Sequence, residues 1–523
     1  MASTVNGLNA CLAVVNANVW TLDDRNPRTS AFLIEQGKIT VVGSADEVLR
    51  AGPGAPLLDC GGATVLPGFV DGHCHFELTC LTTDYWINVH TPPHASLESI
   101  ATAIREKLDD RPGTDWILCR SSFAMQDKVA EGRLFTRQDL DAISSDRPLA
   151  VFASLHVASL NTRALENLEL WDIGSNHAFH GLVHRDEAGL PTGVVTEVFM
   201  MVPSSGSDSE FEQAITRHAR DLFNAAGTTM VNTMPESLKQ VDLQRQLHLE
   251  NRISIRQKYY LISPGVATLD EAEHVSQAVS IPGRFEFGGI KVFVNGCGHD
   301  GLGVAYEDLK WTQDSLDSFV IDADRRGFQV WLHSLTAHGV RMAARAILRA
   351  APLGNNPRRH RIEHGADFID LADLDLIRDS GALLVTTPQF LHSMTTDPTG
   401  PTAPLRSLIA AGVRIVGGTD STGTVPSSVS ILRNVDTAVR RRRSDGSAFH
   451  ANESIDVFSA LKLFTVGSSY GTFSEDLAGR IAVGAFGDFV LLTRDLFAEG
   501  FQGVDDVAVQ STYLGGARVW QEE

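Results

Sequence analysis

Cysteine is scarce in this chain, with six in 523 residues. Cys11, Cys60, Cys74, Cys80, Cys119 and Cys297 are scattered, and none forms a Cys-x-x-Cys pair. A disulfide framework is therefore not expected. Basic residues are in deficit, with 44 Lys and Arg against 64 Asp and Glu and a formal net charge of -20. That argues against nucleic acid and anionic membrane as partners, since both need a basic surface. No uninterrupted apolar run approaches the ~18 residues of a membrane span. The stretch Met1 to Gly7 lacks a basic region followed by an apolar core and a cleavage site. The expectation is a soluble protein in a reducing, cytoplasmic compartment. Hydrophobic residues make up 43% of the chain, enough for a large core. The length fits several domains or one large α/β barrel with attached pieces.

The first 65 residues read as β-structure. Cys11 to Val15 and Ala31 to Ile34 are short apolar strands, and Glu35-Gln36-Gly37-Lys38 is a hairpin turn into Ile39 to Val42. The other end has the same texture, with strands expected at Phe489 to Thr493, Gln510 to Leu514 and Ala517 to Trp520. Neither end has enough core to stand alone. The pattern predicts one split domain, a small β-sandwich built from residues 1–65 and 470–523.

The middle, residues 66–469, alternates helices and strands. Glu210 to Ala226, Ser315 to Arg326, Asp373 to Ser380 and Ser407 to Ala411 read as helices. Each is stopped by a glycine (Gly227, Gly327, Gly381, Gly412) and followed by an apolar strand. That repeat is expected of βα units around a parallel sheet. Its recurrence favours an α/β fold of the (β/α)8, or TIM barrel, type. Residues from about 80 to 190 break the rhythm and read as an insertion after the first barrel strand, covering the mouth. Arg440-Arg441-Arg442-Arg443 reads as a solvated helix end.

Val65 to Val70 reads as a buried strand, disturbed by Pro67 and Gly68, that runs into His73-Cys74-His75. Residues two apart on an extended backbone point the same way. Two neutral imidazoles at a strand end suit a divalent metal such as zinc, although packing or capping also explains an isolated pair. Cys74 would point away and serve as a small buried hydrophobe. In a barrel, chemistry belongs at the C-terminal ends of the strands. Lys291 lies in Phe287 to Val294, His333 ends Val330 to His333, His364 ends Arg361 to His364, and Asp420 ends Ile415 to Asp420. Singly, a strand-end histidine can be a satisfied polar group, a lysine can snorkel and an aspartate can cap a helix. Falling in order on successive strands, they point to a metal site.

Leu66-Pro67-Gly68-Phe69-Val70-Asp71-Gly72-His73-Cys74-His75, Gly289-Ile290-Lys291-Val292-Phe293, His360-Arg361-Ile362-Glu363-His364 and Gly418-Thr419-Asp420 resemble motifs of the metal-dependent amidohydrolases, within the urease-related superfamily. His156 to Leu165 and Gly189 to Glu197 are similar to features of its third amidohydrolase branch, which includes N-substituted formamide deformylases. The resemblance covers nearly the whole chain. It implies that His73 and His75 bind the more buried metal and that Lys291, as N6-carboxylysine, bridges two metals. It further implies that His333 and His364 hold the second metal, while Asp420 contacts the first and acts as base. An ammonium has only donors, whereas a carbamate offers two anionic oxygens. Zinc is the expected metal, with Mn2+ or Co2+ as substitutes, and one or two ions per chain. Two departures stand out. Asn295-Gly296 replaces a usual Asp-Gly, and Thr336-Ala337 replaces a usual Gly-Asp, both next to the expected substrate pocket.

The implied reaction is hydrolysis of a non-peptide C–N bond, an amide of a small organic molecule. A metal lowers the pKa of bound water, and Asp420 takes its proton and passes it to the leaving nitrogen. By the resemblance, His156 hydrogen-bonds substrate oxygen; its plain alternative is a core histidine holding the insertion. Glu197 is either a pocket residue or a buried ion-pair partner. Trp86, Phe123 and Phe390 are candidates for an apolar pocket wall, with core packing as the alternative. A deaminase or cyclic-amide hydrolase on the same site is the competing enzyme reading, and a catalytically silent binding barrel is the competing class. The sequence leaves the oligomer open; a homodimer is compatible with it.

Overall fold

The computed structural model describes residues 10–108, 115–172, 181–203, 207–278, 280–296, 309–351, 355–393, 402–422, 426–498, 503 and 507–522. Met1 to Gly7, Cys297 and parts of the segment from about 80 to 190 lie outside the described residues.

Eight parallel strands form one sheet in chain order: β1 (Phe69–Asp71), β2 (Thr228–Thr233), β3 (Arg256–Ile262), β4 (Phe285–Phe293), β5 (Gln329–His333), β6 (Arg361–Glu363), β7 (Leu383–Thr386) and β8 (Ile415–Gly417). The sheet curls until its ends meet. The Gly72 amide donates to the Gly417 carbonyl and the Asp420 amide to the His73 carbonyl, each at 2.9 Å. This is a TIM barrel. Side-chain alternation sets its two layers. Ile290, Val292, Val330, Leu332, Ile362 and Leu384 face outward and pack under helices such as Gln313–Arg325 and Ala337–Ala350. The residues between them therefore point into the barrel, among them Lys291 and Phe293, Trp331 and His333, and Arg361 and Glu363. Trp331 fills the interior, stacked on Tyr260 at 3.5 Å, with the Arg361 guanidinium 3.7 Å above its ring.

The strand expected over 65–70 is two strands. Thr64–Pro67 pairs with Phe489–Leu492, outside the barrel, and β1 begins at Phe69. The break falls at Gly68, where a Cβ would collide with the Thr229 side chain. Thr64–Pro67 thus belongs to a six-stranded sheet with Asn18–Trp20, Arg28–Thr29, Phe489–Leu492, Val509–Leu514 and Ala517–Gln521. A four-stranded sheet of Lys38–Gly43, Ala31–Glu35, Leu12–Val15 and Leu57–Asp59 lies against it. Phe32 and Ile34 from the second sheet share a core with Val65, Phe489 and Tyr513 from the first.

Between β1 and β2 a six-stranded mixed sheet is inserted, in the order Val183–Arg185, Pro191–Thr196, Val157–Leu160, Leu149–Phe152, Ile117–Arg120, Ile87–Asn88. Its two faces carry separate cores. One, with Cys119, Val151 and Val157, runs on into Leu335 and Phe390 of the barrel. The other holds Trp86, Phe152, Ala158 and Leu160. The solvated-helix-end expectation for the basic run fails at Arg441. Arg441 is fully buried, and its guanidinium donates to the carbonyls of Thr402, Ala403 and Phe449 at 2.7, 2.9 and 3.2 Å.

Candidate metal centre

His73, His75, Lys291, His333, His364 and Asp420 all lie buried at the C-terminal end of the barrel. The His73 ring stacks on Trp331 and its Nδ1 bonds the Glu363 carboxylate. Glu363 is itself clamped by Arg361, with Nε and Nη2 donating at 2.6 and 2.7 Å. Burial alone would raise the Glu363 pKa, but Arg361 and His73 outweigh it and hold the carboxylate well below its usual range. With Nδ1 committed, His73 turns Nε2 toward the site, the arrangement that fixes a ligand's ring and tautomer. Sequence reading missed Arg361 and Glu363. The signal was there: opposite charges two apart in an apolar strand must share a face.

Asp420 Oδ1 lies 3.5 Å from His73 Nε2 and 3.4 Å from His75 Nε2. Burial works against its charge, yet His73, His364 and His75 keep its pKa far below the usual carboxylate value. Asp420 and His364 both take left-handed backbone, with φ of 43° and 62°. Side-chain-bearing residues held there mark sites where surrounding structure over-determines the backbone. The loop is pinned by Asp71, which accepts from the Thr419 amide at 3.0 Å and from the Thr419 hydroxyl. Gly418 must be glycine, because a Cβ there would come within 2.6 Å of the His73 Cβ.

Donor atoms of His73, His364 and Asp420 all lie within 4.8 Å of one another. The His333 and His364 ring centres are 4.9 Å apart. His73 Nε2, His333 Nε2 and His364 Nδ1 are buried without a hydrogen-bond partner among the described residues. Burial pushes the His75 pKa down to about 3 and those of His333 and His364 well below the usual value, opposing their protonation. Lys291 is 1% exposed, and burial pulls its pKa down to about 8 against the opposing charges of Glu363 and Asp420. Cys74 points the other way, into a core with Phe76, Leu81 and Phe223.

A cavity partly open to solvent sits over these groups. His75, His333, His364 and Asp420 form its polar side. Phe123 and Phe390, with ring centres 5.8 Å apart, face them together with Phe199 and Phe293. Phe199 and Phe293 were not singled out from sequence, although Phe293 shares the inward face of β4 with Lys291. His156 lines the cavity, its ring 5.0 Å from that of His333. Glu197 stands behind it, bonding His156 Nδ1 at 3.0 and 3.1 Å and lying 3.6 Å from Lys310 Nζ. That geometry matches the ion-pair alternative for Glu197. Trp86 does not line the cavity. Its ring packs on Phe152 at 5.1 Å, in the core on the other face of the inserted sheet from Phe390.

The Amidohydrolase family model matches residues 57–520. The chain belongs to the amidohydrolase family. It is 24% identical over 539 residues to an N-substituted formamide deformylase of Arthrobacter pascens, covering 97% of each chain. The fold matches that of an uncharacterized metal-dependent hydrolase from Pyrococcus horikoshii, with a TM-score of 0.73 at 20% identity over 94% of this chain and 100% of that one. A second, from Pyrococcus furiosus, gives 0.69 at 21% identity with the same coverage. This amidohydrolase is accordingly a hydrolase of carbon–nitrogen bonds. Among the described residues no helix is long and apolar enough to cross a membrane.

In this amidohydrolase Asn295 and Thr336, the two positions that stood out in the sequence, touch each other. Asn295 Nδ2 donates to Thr336 Oγ1 at 3.0 Å, and Asn295 Oδ1 accepts from the Leu335 amide at 3.1 Å. Thr336 Oγ1 also caps the helix Ala337–Ala350 by accepting from the Gly339 amide at 3.1 Å. The pair therefore holds Leu335, which lines the cavity.

Proposed function

We propose that this amidohydrolase cleaves the amide C–N bond of a small organic molecule at a divalent metal centre. The observation that carries the reading is the set of buried, unpartnered ring nitrogens of His73, His333 and His364 beside the Asp420 carboxylate. An unmade buried hydrogen bond costs about 1–3 kcal/mol, and a bound cation would offset it. Neutral imidazoles with a carboxylate suit zinc, with Mn2+ or Co2+ as substitutes. His73, His75 and Asp420 would hold one ion, and His333 and His364 a second. Lys291, as N6-carboxylysine, would lie between them. The buried Lys291 amine, lowered to about 8, is more readily neutral and so able to add to carbon dioxide, losing a proton to become a carbamate. The metal supplies an acidified water and a polarised carbonyl.

The chain's own residues do the rest. Asp420 takes the proton of the attacking water and then gives it to the departing nitrogen. His156, its Nδ1 engaged by Glu197, keeps Nε2 for the substrate oxygen. Phe123 and Phe390 pack the apolar part of the substrate and shed water from it. We also infer a β-sandwich domain from residues 1–65 and 470–523, and a barrel domain from 66–469 that includes the insertion of about 80–190. A cytoplasmic setting and a small-molecule substrate go with this reading.

The test is metal analysis of purified protein together with hydrolysis of N-acyl and N-formyl amines. Two metals per chain with amine release is the expected result. One metal with turnover removes the Lys291 bridge. Ammonia released from a ring amine favours the deaminase alternative. The absence of both bound metal after zinc reconstitution and turnover overturns the proposal.

A further inference from the structure

Arg120 closes the strand Ile117–Arg120 of the inserted sheet and is 5% exposed. Its Nη1 lies 3.4 Å from Thr82 Oγ1, while Nε and Nη2 have no hydrogen-bond partner among the described residues. These two atoms form the edge of the guanidinium that meets a carboxylate with two parallel hydrogen bonds. Among the described residues four other arginines use that edge in this way, the exposed Arg220 on its neighbour Asp221 being one. Arg256 grips Asp488 at 2.7 and 3.0 Å, Arg341 grips Asp373 at 2.8 Å twice, and Arg361 grips Glu363 at 2.6 and 2.7 Å. Arg120, as buried as Arg256, presents the same edge with no carboxylate of the described residues upon it. Buried guanidinium donors that make no hydrogen bond are costly, and such an edge calls for an acceptor, which an anion from outside the chain would supply.

Its position ties it to the reaction site. Thr82 belongs to the helix Phe76–Tyr85, which starts directly after His75. On the same helix Thr79 bonds Ser421, the neighbour of Asp420, at 2.9 Å. Phe123, three residues beyond Arg120, lines the cavity. The charge of Asp420 reaches Arg120, and those of Arg120 and Lys128 both reach His90, whose Nε2 is also buried and unpartnered. In a chain of net charge -20, Arg120 is thus a buried cation with the half-buried Lys128 nearby, close to the cavity.

We propose that Arg120 binds a carboxylate carried by the substrate through its Nε and Nη2 edge, so that the amide hydrolysed here is an anionic one with an apolar body. This rests on the amide-hydrolase reading above. The experiment uses matched pairs of amides that differ only by a carboxylate, such as N-acetylphenylalanine and N-acetyl-2-phenylethylamine, with carboxylates on the acyl side in a second set. Phenylacetate, which cannot be hydrolysed, is titrated calorimetrically in parallel. The wild-type protein should favour the carboxylate member in kcat/KM by roughly tenfold to a hundredfold, the worth of a charge-assisted hydrogen-bond pair. Arg120→Met should bring that ratio close to one and weaken phenylacetate binding by a similar factor, with Arg120→Lys in between. A wild-type ratio of one, or a ratio that survives in Arg120→Met, overturns the proposal. Equal loss on both members makes Arg120 a support for the Asp420 charge and also overturns it. Acetate binding that depends on Arg120 without any substrate preference assigns the site to a free anion, again against the proposal. If no amide is turned over but phenylacetate binding depends on Arg120, the hydrolase reading fails and the carboxylate site stands.

Discussion

Arg256 and Asp488 at the floor of the barrel are as buried as His73, His333 and His364 at its mouth, yet the two regions treat their polar atoms in opposite ways. At the floor the Arg256–Asp488 pair is fully matched. Arg256 grips both Asp488 oxygens at 2.7 and 3.0 Å, the Gly515 amide adds a third bond at 2.7 Å, and the Gly68 amide takes the Asp488 carbonyl at 2.9 Å. This network joins β3 to the sheet built from both chain ends. At the mouth, ring nitrogens of three histidines are left without partners, and His364 and Asp420 hold left-handed backbone. Satisfied networks hold shape; unsatisfied ones persist where a ligand completes them. The contrast separates the polar residues that build this protein from those that act.

Substitutions can break or sharpen that contrast. The largest effect is expected at Asp420. Asp420→Asn should lower kcat by about a thousandfold while metal content is kept; near-normal turnover in a kinetic assay would remove its role as base. Arg256→Met strands a buried carboxylate and should cost about 3–5 kcal/mol in denaturant unfolding, with little change in activity. The same change at Arg120 should cost nothing or stabilise, because no carboxylate is left behind. Equal losses at the two arginines would erase the distinction between matched and open sites. Lys291→Ala should lower bound metal, measured by elemental analysis, and a short carboxylic acid should restore part of it. Glu363→Gln should weaken metal affinity about 10–100-fold by freeing the His73 ring, read by competition with a chelator. Cys74→Ala should cost only about 1 kcal/mol and leave metal stoichiometry alone, as its buried sulfur faces away from the histidines.

Much of this was legible in the chain. The helix, glycine, apolar-strand repeat identifies the barrel because each unit writes its own local signal. The histidines, Lys291 and Asp420 stand out because polar groups at the ends of apolar runs are rare. Other features were not legible. The break at Gly68 depends on Thr229, 161 residues away in sequence, and on which sheet each half of the run can pair with. Trp86 and Phe390 are alike as sequence, both large and apolar, but they lie on opposite faces of the inserted sheet, and only Phe390 reaches the cavity. Arg441 in a run of four arginines looks solvated until the carbonyls of Thr402, Ala403 and Phe449 take its donors.

Local pattern by itself determined the architecture, the family resemblance and the rim residues, since period and residue type act over a few neighbours. Tertiary structure alone decided which polar atoms are paired. Arg256 and Arg120 are the same residue at the end of an apolar strand. One meets Asp488 across the fold and the other meets no carboxylate, because a partner's presence depends on how distant segments pack and not on the residue that needs it.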